Sequence, residues 1–419
     1  MSQLVLRGTA TRRRQGSLAL VGLTVVALPL AAPGPALVPA AVASSPRWLL
    51  GIAGRGFALH GRTYLALMVV AFLCYLVVLA TADHIRPRVM WMAIVALVAL
   101  FTLAPPLLSR DVFSYIAYGR LAAKHGLNPY VAVPAQRPND PVLPFVGWRR
   151  APGAYGPLFT LAVYPIGLLP VAAALWVLKV VGGLAVLALA AVTAHIAKVR
   201  GGDPQRAAAM VALNPLVLVH AVGGAHNDSI MVLALMGSVA LLMSRRQVQG
   251  AAAVALAVGL KASGLVAAPF ALAGSPRRAQ LATALAIALA VVGGVAFVAF
   301  GSHAWAAERL AGRNQSLTSH YSAPSTVARV TRVSVDRIRV LALAGFTAVV
   351  LGLLWWTTRG GDWVRATGWA TFALLVASSW LMPWYVVWAL PLAAVARDRR
   401  LSGSVLGLCA FQLVNRVPM

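Results

Sequence analysis

Long apolar runs, separated by short polar or basic stretches, follow one another along almost the whole chain. Many of these runs approach the ~20 residues that an α-helix needs to cross a bilayer. The pattern therefore predicts an all-α, polytopic integral membrane protein, a single domain over residues 1–419 with roughly ten to thirteen membrane segments. The predicted segments are Ser17–Leu30, Thr63–Ala82, Val89–Leu108, Tyr155–Lys198, Ala207–Val222, Ser229–Met243, Gln249–Ala273, Leu281–Phe300, Val340–Trp356, Ala366–Met382, Trp384–Ala396 and Ser402–Val414.

Two of these stretches are predicted to be interrupted. Pro165 and Pro170 break Tyr155–Lys198, and we favour one partial helix there, because the basic segment that follows then returns to the cytoplasmic side. Gln249–Ala273 has basic residues beyond both ends, which favours two half-helices with Lys261 near their tip. A single long span is the alternative for this stretch.

Two polar intervals, residues 109–155 and 301–337, are predicted to be large extracytoplasmic loops. The first combines tyrosines, arginines and Pro/Gly punctuation, a composition typical of an ordered site. Basic clusters between the apolar runs indicate cytoplasmic loops, so three crossings from a cytoplasmic N-terminus place residues 109–155 outside. We expect a multi-pass protein of the cell membrane with its site on the extracytoplasmic face.

Composition and charge are consistent with this class of protein. The chain is 60% hydrophobic and 11% charged, with a net charge of +27. In a soluble protein that charge would suggest nucleic acid, but the arginines lie in short clusters between apolar runs, so the expected partner is membrane lipid and not nucleic acid. Cys74 and Cys409 lie inside apolar runs without metal-binding spacing, which predicts neither a disulfide nor a zinc site.

Asp111, one of nine acidic residues, stands at the predicted exit of a membrane segment. A carboxylate shielded by apolar surroundings can act as a general base toward a hydroxyl. A helix N-cap or an ion pair with Arg110 is the structural alternative. The same interval offers cations for a phosphate and aromatic faces for a sugar, although such residues also anchor membrane interfaces. The cations are Arg120 and Arg150, and the aromatic residues are Tyr115, Tyr130 and Tyr155.

A second polar cluster, His226, Asn227 and Asp228, follows a short apolar segment. It could bind a metal, orient an acceptor hydroxyl or hold a phosphate, or it could cap the next helix. Lys261 lies within apolar sequence, where a function is the default hypothesis. We favour a lipid phosphate as its counter-charge over pairing with one of the rare acids.

Aromatic and polar residues also follow the later apolar runs. His320 lies in the second polar interval, and Trp384 with Tyr385 lies at a predicted membrane boundary. An aromatic belt explains the last two without function. Stacking on a sugar or contact with a polyprenyl chain is the functional alternative.

At these residues the chain resembles the GT-C membrane glycosyltransferases, and closely the actinobacterial polyprenyl-phosphomannose-dependent α-1,6-mannosyltransferases. The resemblance runs in order from Asp111 to Leu392. The matching text is DVFSYIAYGRL and GLNPY, then AYGPLF, NPLVLVHAVGGAHND, KASGLVAAPF and PWYVVWALPL.

The resemblance implies an inverting transfer of mannose from polyprenyl-phosphate-mannose to a lipoglycan outside the cytoplasm, with α-1,6 linkages. Asp111 is then the catalytic base, and Lys261, Arg120 and Arg150 bind the donor phosphate. No metal and no cofactor is expected. The alternatives are a flippase for lipid-linked sugars, a transferase for another lipid-linked sugar such as arabinose, and a non-catalytic membrane scaffold. The remaining predicted substrate-binding residues are Tyr115, Tyr130, Tyr155, His226, Asn227, Asp228, His320, Trp384 and Tyr385.

Overall fold

The computed structural model describes residues 2–32, 59, 61–305 and 317–415, and these residues form helices and connecting turns without a β-strand. The predicted all-α fold is therefore confirmed. In the described residues the α-helices are α1 (Ser2–Ala31), α2 (Gly61–Ala80), α3 (Pro87–Leu103), α4 (Asp111–Ala123), α5 (Pro157–Gly167), α6 (Val171–Val199), α7 (Pro204–Ala212), α8 (Asp228–Met243), α9 (Gln247–Leu260), α10 (Ala268–Gly274), α11 (Arg278–Phe300), α12 (Ala323–Thr331), α13 (Val335–Thr358), α14 (Trp363–Ala377), α15 (Leu390–Val395) and α16 (Arg399–Asn415).

Five stretches of the described chain are long and apolar enough to cross a membrane. No residue in the most apolar window of α13 is fully buried inside the molecule, as expected for a helix that faces lipid. Six further apolar helices are shorter, so the predicted count of ten to thirteen segments stays a prediction. The five long stretches are Ala10–Ala31, Gly61–Ala80, Val171–Val199, Arg278–Ala304 and Val335–Thr358.

The proline-containing stretch forms one short and one long helix. Helix α5 has 11 residues, which at ~1.5 Å per residue covers about half of a bilayer's hydrocarbon core. Helix α6 has 29 residues and begins directly after Pro170. The predicted partial helix is therefore α5.

The stretch around Lys261 folds back on itself. Helix α9 ends at Leu260, Lys261 is extended, and a 3₁₀ turn (Ala262–Ala267) leads into α10. The Ser275 hydroxyl lies 3.4 Å from Gln247 Oε1, so the two ends of the stretch are adjacent. The prediction of two half-helices is confirmed, and the alternative of a single long span is wrong.

The first polar interval is not an open loop throughout. Helix α4 occupies its start, and every residue from Val112 to Leu121 is buried. The helix crosses α5 at close range, because a Cβ on Gly119 would lie 2.2 Å from the Val163 carbonyl oxygen. A Cβ on Gly167 would likewise lie 2.4 Å from the Gly119 carbonyl carbon. Residues 109–155 therefore begin inside the helix bundle.

Contacts between distant segments bring Arg200 and Arg397 together. Arg200 donates to the Val395 carbonyl and forms an ion pair with Asp362, and Arg397 donates to the Arg200 carbonyl. We call this region the basic end. Helix α8 begins at Asp228 and ends just before Arg245 and Arg246, so Asp228 and these two arginines lie at opposite ends of that helix.

Candidate active site

Asp111 is held at the first residue of α4 and is still reachable by solvent. Its side chain is 20% exposed. The indole N–H of Trp148 donates to Asp111 Oδ1 at 3.1 Å, and His226 Nδ1 lies 3.6 Å from Oδ2. The Trp148 hydrogen bond thus orients the carboxylate beside the His226 ring, and an oriented carboxylate is what a positioned base requires.

His226 is almost completely buried, and its ring has a defined orientation. The imidazole stacks on Trp384 with 3.6 Å between ring centroids and an interplanar angle of 14°. The backbone N–H of His226 donates to the Ala221 carbonyl, just after a turn of π-helix (Val217–Val222). This stacking places one face of the ring on Trp384 while Nδ1 points toward Asp111.

Lys261 and Asp228 form an ion pair beside the Asp111–His226 pair. Lys261 Nζ donates to Asp228 Oδ1 at 2.6 Å, and Trp388 Nε1 donates to the same oxygen at 2.7 Å. The ammonium lies 4.6 Å from the ring centroid of Tyr385 and 5.1 Å from that of Trp388. Asp228 is 1% exposed and Lys261 is 20% exposed, so the cation is the accessible partner.

This pairing corrects the expectation for the counter-charge of Lys261. From the sequence we favoured a lipid phosphate over one of the rare acids as this counter-charge. In the structure the counter-charge is one of those acids, Asp228. Lysine carries three N–H donors and Asp228 Oδ1 accepts one of them, so binding of a phosphate by the exposed part of Lys261 stays a proposal. Asp228 is also the first residue of α8, where a carboxylate interacts favourably with the helix dipole.

Tyr115, Asn227 and Tyr155 support the site from inside. The Tyr115 hydroxyl donates to Asn227 Oδ1 at 3.4 Å, and its ring meets Tyr155 edge to face at 4.8 Å. Tyr115 is only 1% exposed, so direct contact with a substrate is not favoured by its position. These residues connect α4 to the turn that carries His226 and Asp228.

Gly156 joins this aromatic layer to the tip of the α9–α10 hairpin. Its N–H donates to the Leu260 carbonyl at 3.2 Å. A Cβ on Gly156 would lie 2.3 Å from the Gly259 carbonyl oxygen and 2.6 Å from the Leu260 carbonyl carbon. Both obstacles are backbone atoms, so the hairpin tip can approach this closely only because residue 156 has no side chain.

We expect Gly156→Ala to move Lys261 away from its place in the site. The clash should cost about 1–3 kcal/mol of folding stability, as overpacking does, and should lower the turnover rate. Thermal unfolding and turnover of the purified variant test this. Gly182→Ala in α6 is the matched control, because a Cβ there meets nothing within 4 Å. Equal thermal stability and equal turnover in Gly156→Ala and Gly182→Ala would contradict the close approach of the hairpin tip to residue 156.

In the described part of the chain, four predicted site residues form no hydrogen bond or ion pair with Asp111, His226, Asp228 or Lys261. Tyr130 is 3% exposed and its hydroxyl donates to the Tyr155 carbonyl, so it stabilises the loop. Arg150 and His320 are exposed at the surface. Arg120 is 5% exposed and its Nε donates to both carboxylate oxygens of Asp140, which argues against the predicted phosphate role.

The Arg120–Asp140 pair instead stabilises the fold. Burial alone would raise the pKa of Asp140, but hydrogen bonds from Arg120, His125 and the Val142 N–H together hold that pKa below its usual value. A carboxyl with a lowered folded-state pKa adds stability above its unfolded pKa of about 4. That stability is lost as pH falls through the folded-state pKa.

We expect Asp140→Asn to destabilise the protein by about 3–5 kcal/mol at neutral pH, because Arg120 then stays buried without its carboxylate. The variant should also lose less stability than the wild type on acidification below about pH 4. Thermal unfolding in detergent at several pH values measures both effects. Asp336→Asn is the control, since its carboxylate is 89% exposed; an equal loss there would contradict the prediction.

Three residues that stabilise the site or the fold were not predicted from the sequence. Trp388 binds Asp228, and Asp140 neutralises Arg120. Lys179 is fully buried in α6 and donates to two backbone carbonyls. Only Lys179 had a clear signal, because it is an isolated lysine inside an apolar run, as Lys261 is. In the described part of the chain no three His, Cys, Asp or Glu side chains meet, and metal independence stays a prediction.

The fold and this cluster define a helical membrane protein with a site of ionisable and aromatic residues inside its helix bundle. Residues 15–275 match the family model described as "Alpha-(1->6)-mannopyranosyltransferase, N-terminal domain". Residues 318–419 match the model described as "MptB C-terminal domain". The chain belongs to the alpha-(1→6)-mannopyranosyltransferase family, so its class is that of the glycosyltransferases.

Individual relatives agree with this family. Alpha-(1→6)-mannopyranosyltransferase A of Mycobacterium tuberculosis is 32% identical over 348 residues, 74% of this chain and 66% of that protein. The enzyme of the same name from Corynebacterium glutamicum is 30% identical over 351 residues, 73% of this chain and 70% of its own length. Alpha-(1→6)-mannopyranosyltransferase B of C. glutamicum is 29% identical over 154 residues, 33% of this chain and 24% of that protein. No solved structure matches the chain.

Proposed function

We propose that this protein transfers mannose from polyprenyl-phosphate-mannose to a hydroxyl of an extracytoplasmic lipoglycan, with inversion at the anomeric carbon and formation of α-1,6 linkages. The observation that carries the proposal is the position of Asp111. Its carboxylate is 20% exposed, is fixed by Trp148 and lies 3.6 Å from His226. A carboxylate that is both oriented and accessible is what deprotonation of an acceptor hydroxyl needs.

The proposed reaction is a single displacement. Asp111 takes the proton of the acceptor hydroxyl while its oxygen forms a bond to C1 of the donor mannose. The bond between C1 and the phosphate oxygen breaks, and its electron pair leaves with polyprenyl phosphate. Attack and departure occur on opposite faces of C1, which inverts the configuration. Because phosphate is a good leaving group, positioning and charge stabilisation are the main contributions of the protein.

The residues around Lys261 are proposed to bind the donor. The exposed part of the Lys261 ammonium can bind the donor phosphate, which becomes more negative as its bond to C1 breaks. Arg150 lies on the same loop as Trp148 and offers a second cation. Tyr385 and Trp388 stack with 4.4 Å between centroids and can contact a sugar ring or the first isoprenoid unit.

The location of the site outside the cytoplasm is supported by charge. The basic end carries Arg200 and Arg397 from two connecting segments, and Arg245 with Arg246 follows α8. Such basic loops are favoured on the cytoplasmic side. Asp228 is at the end of α8 opposite to Arg245 and Arg246. We propose that the acceptor and the donor sugar therefore meet near the extracytoplasmic surface.

The experiment is a transfer assay with the purified protein in proteoliposomes. Polyprenyl-phosphate donors carrying labelled mannose, arabinose or glucose are each offered with a short α-mannoside acceptor. We expect label in the acceptor with the mannose donor, in a product that an α-1,6-specific mannosidase cleaves. Transfer from the arabinose donor alone would show that the donor sugar is arabinose and not mannose. Label that crosses the bilayer without entering the acceptor would contradict the proposal and indicate a flippase.

A further inference from the structure

Lys179 is a fully buried lysine in α6 that the proposed reaction does not use. Its Nζ donates to the Phe101 carbonyl at 3.2 Å and to the Gly223 carbonyl at 3.0 Å. Both of these partners are carbonyl groups rather than carboxylates. A lysine inside a membrane-spanning helix is costly, so a specific role is the first hypothesis for it.

The two carbonyls that Lys179 contacts lie at the ends of helical segments. Phe101 belongs to the last turn of α3, and Gly223 directly follows the turn of π-helix. Carbonyls at such ends lack the usual intrahelical partner and carry the negative end of the helix dipole. A buried ammonium between them satisfies both hydrogen-bond acceptors and their partial charge.

The Gly223 carbonyl also accepts a hydrogen bond from the Leu107 N–H at 3.1 Å. Leu107 precedes Asp111 by four residues, and Gly223 precedes His226 by three. One carbonyl therefore joins the Asp111 segment (Leu107–Asp111) to the His226 segment (Gly223–Asp228). Lys179 binds the oxygen at this junction.

Each of these two segments contains a non-glycine residue with left-handed backbone geometry. Leu108 has φ of 57°, and Ala225 has φ of 54°. Such a conformation costs roughly 1–2 kcal/mol per residue, and it persists only where the surrounding structure holds it. Both strained residues lie within three positions of the side chains that they orient.

We propose that Lys179 is a positioning residue that clamps the junction at the Gly223 carbonyl and thereby keeps Asp111 and His226 in register across two strained turns. Without the clamp, each strained residue can relax and the two side chains separate. A displacement of about 1 Å in a reacting group lowers a rate by about a hundredfold. The proposal rests on the proposed function only for its activity readout.

The first test compares Lys179→Met with Lys198→Met, the exposed lysine near the end of the same helix. We expect Lys179→Met to lower kcat for mannosyl transfer about a hundredfold, with KM changed less than about twofold, because binding groups stay in place. Hydrogen–deuterium exchange should accelerate in the Asp111 and His226 segments. Lys198→Met should match the wild type in both measurements.

The second test separates positioning from general stability. Glycine adopts positive φ without the steric cost of a side chain. Adding Ala225→Gly to Lys179→Met should therefore raise kcat at least about tenfold above that of Lys179→Met alone. Arg245→Gly is the matched control, because Arg245 is also left-handed, with φ of 58°, but lies at the far end of α8. It should improve stability without restoring kcat.

Three results would overturn the proposal. They are wild-type kcat in Lys179→Met, unchanged exchange in both segments, and equal rescue by Ala225→Gly and Arg245→Gly. A different pair of results would support the clamp and reject the proposed function. In that case exchange accelerates in both segments of Lys179→Met, while the wild type transfers no sugar. The two failures are therefore distinguishable.

Discussion

Asp111→Asn should lower the rate of mannosyl transfer by about 10²- to 10⁴-fold, the contribution of a positioned general base. Asparagine keeps the shape of the side chain and can still accept the Trp148 N–H, so the fold should be retained. The amide cannot take up the acceptor proton at neutral pH. Steady-state kcat of the purified variant measures the effect.

The matched control for this substitution is Asp336→Asn, which removes an 89% exposed carboxylate that pairs with Arg339. It should retain wild-type activity. An Asp111→Asn enzyme with wild-type kcat would remove Asp111 from the mechanism. A loss of activity in both variants would point to a general effect of charge.

Lys261→Met should cause the second large loss, in stability and in activity together. Asp228, at 1% exposure, would keep a carboxylate bound only by the Trp388 indole among the contacts described above. Removal of one partner from a buried ion pair costs about 3–5 kcal/mol. Loss of the cation that we propose to bind the leaving phosphate should lower kcat by about 10²- to 10³-fold.

The double variant Asp228→Asn/Lys261→Met separates these two effects. It removes both charges, so most of the lost stability should return in thermal unfolding measurements, because no buried charge is left unpaired. Activity should not return, because the cation is still absent. Two results would contradict the ion pair and the role of its cation. They are a loss of stability in the double variant equal to the sum of the two single losses, and recovery of activity in the double variant.

Much of the fold could be predicted because lipid permits few alternatives to helices for apolar sequence. The charge pattern around Gln249–Ala273 was sufficient for the hairpin, since basic residues at both ends favour one side of the membrane. The buried position of α4 was not predicted. Arg120 makes that sequence look like an exposed loop, and only Asp140, 20 residues later, neutralises it in the structure.

Several residues that the sequence singles out lie together in the structure, but their pairings could not be predicted. Asp111, His226, Asp228 and Lys261 stood out because ionisable groups are rare in apolar sequence. The sequence has no local signal that joins Lys261 to Asp228, which is 33 residues earlier, or His226 to Asp111. These contacts depend on helix packing, which periodicity does not encode.

The central claim is that transfer takes place where Asp111 and His226 meet, and a single-turnover experiment tests it most directly. Enzyme in excess over labelled polyprenyl-phosphate-mannose is mixed with saturating α-mannoside, and bound donor and product are followed in time. We predict that the wild type converts the donor completely, and that Asp111→Asn binds the donor but leaves it unconverted over the same period. Conversion at the wild-type rate by Asp111→Asn, or binding without conversion by the wild type, would contradict the claim.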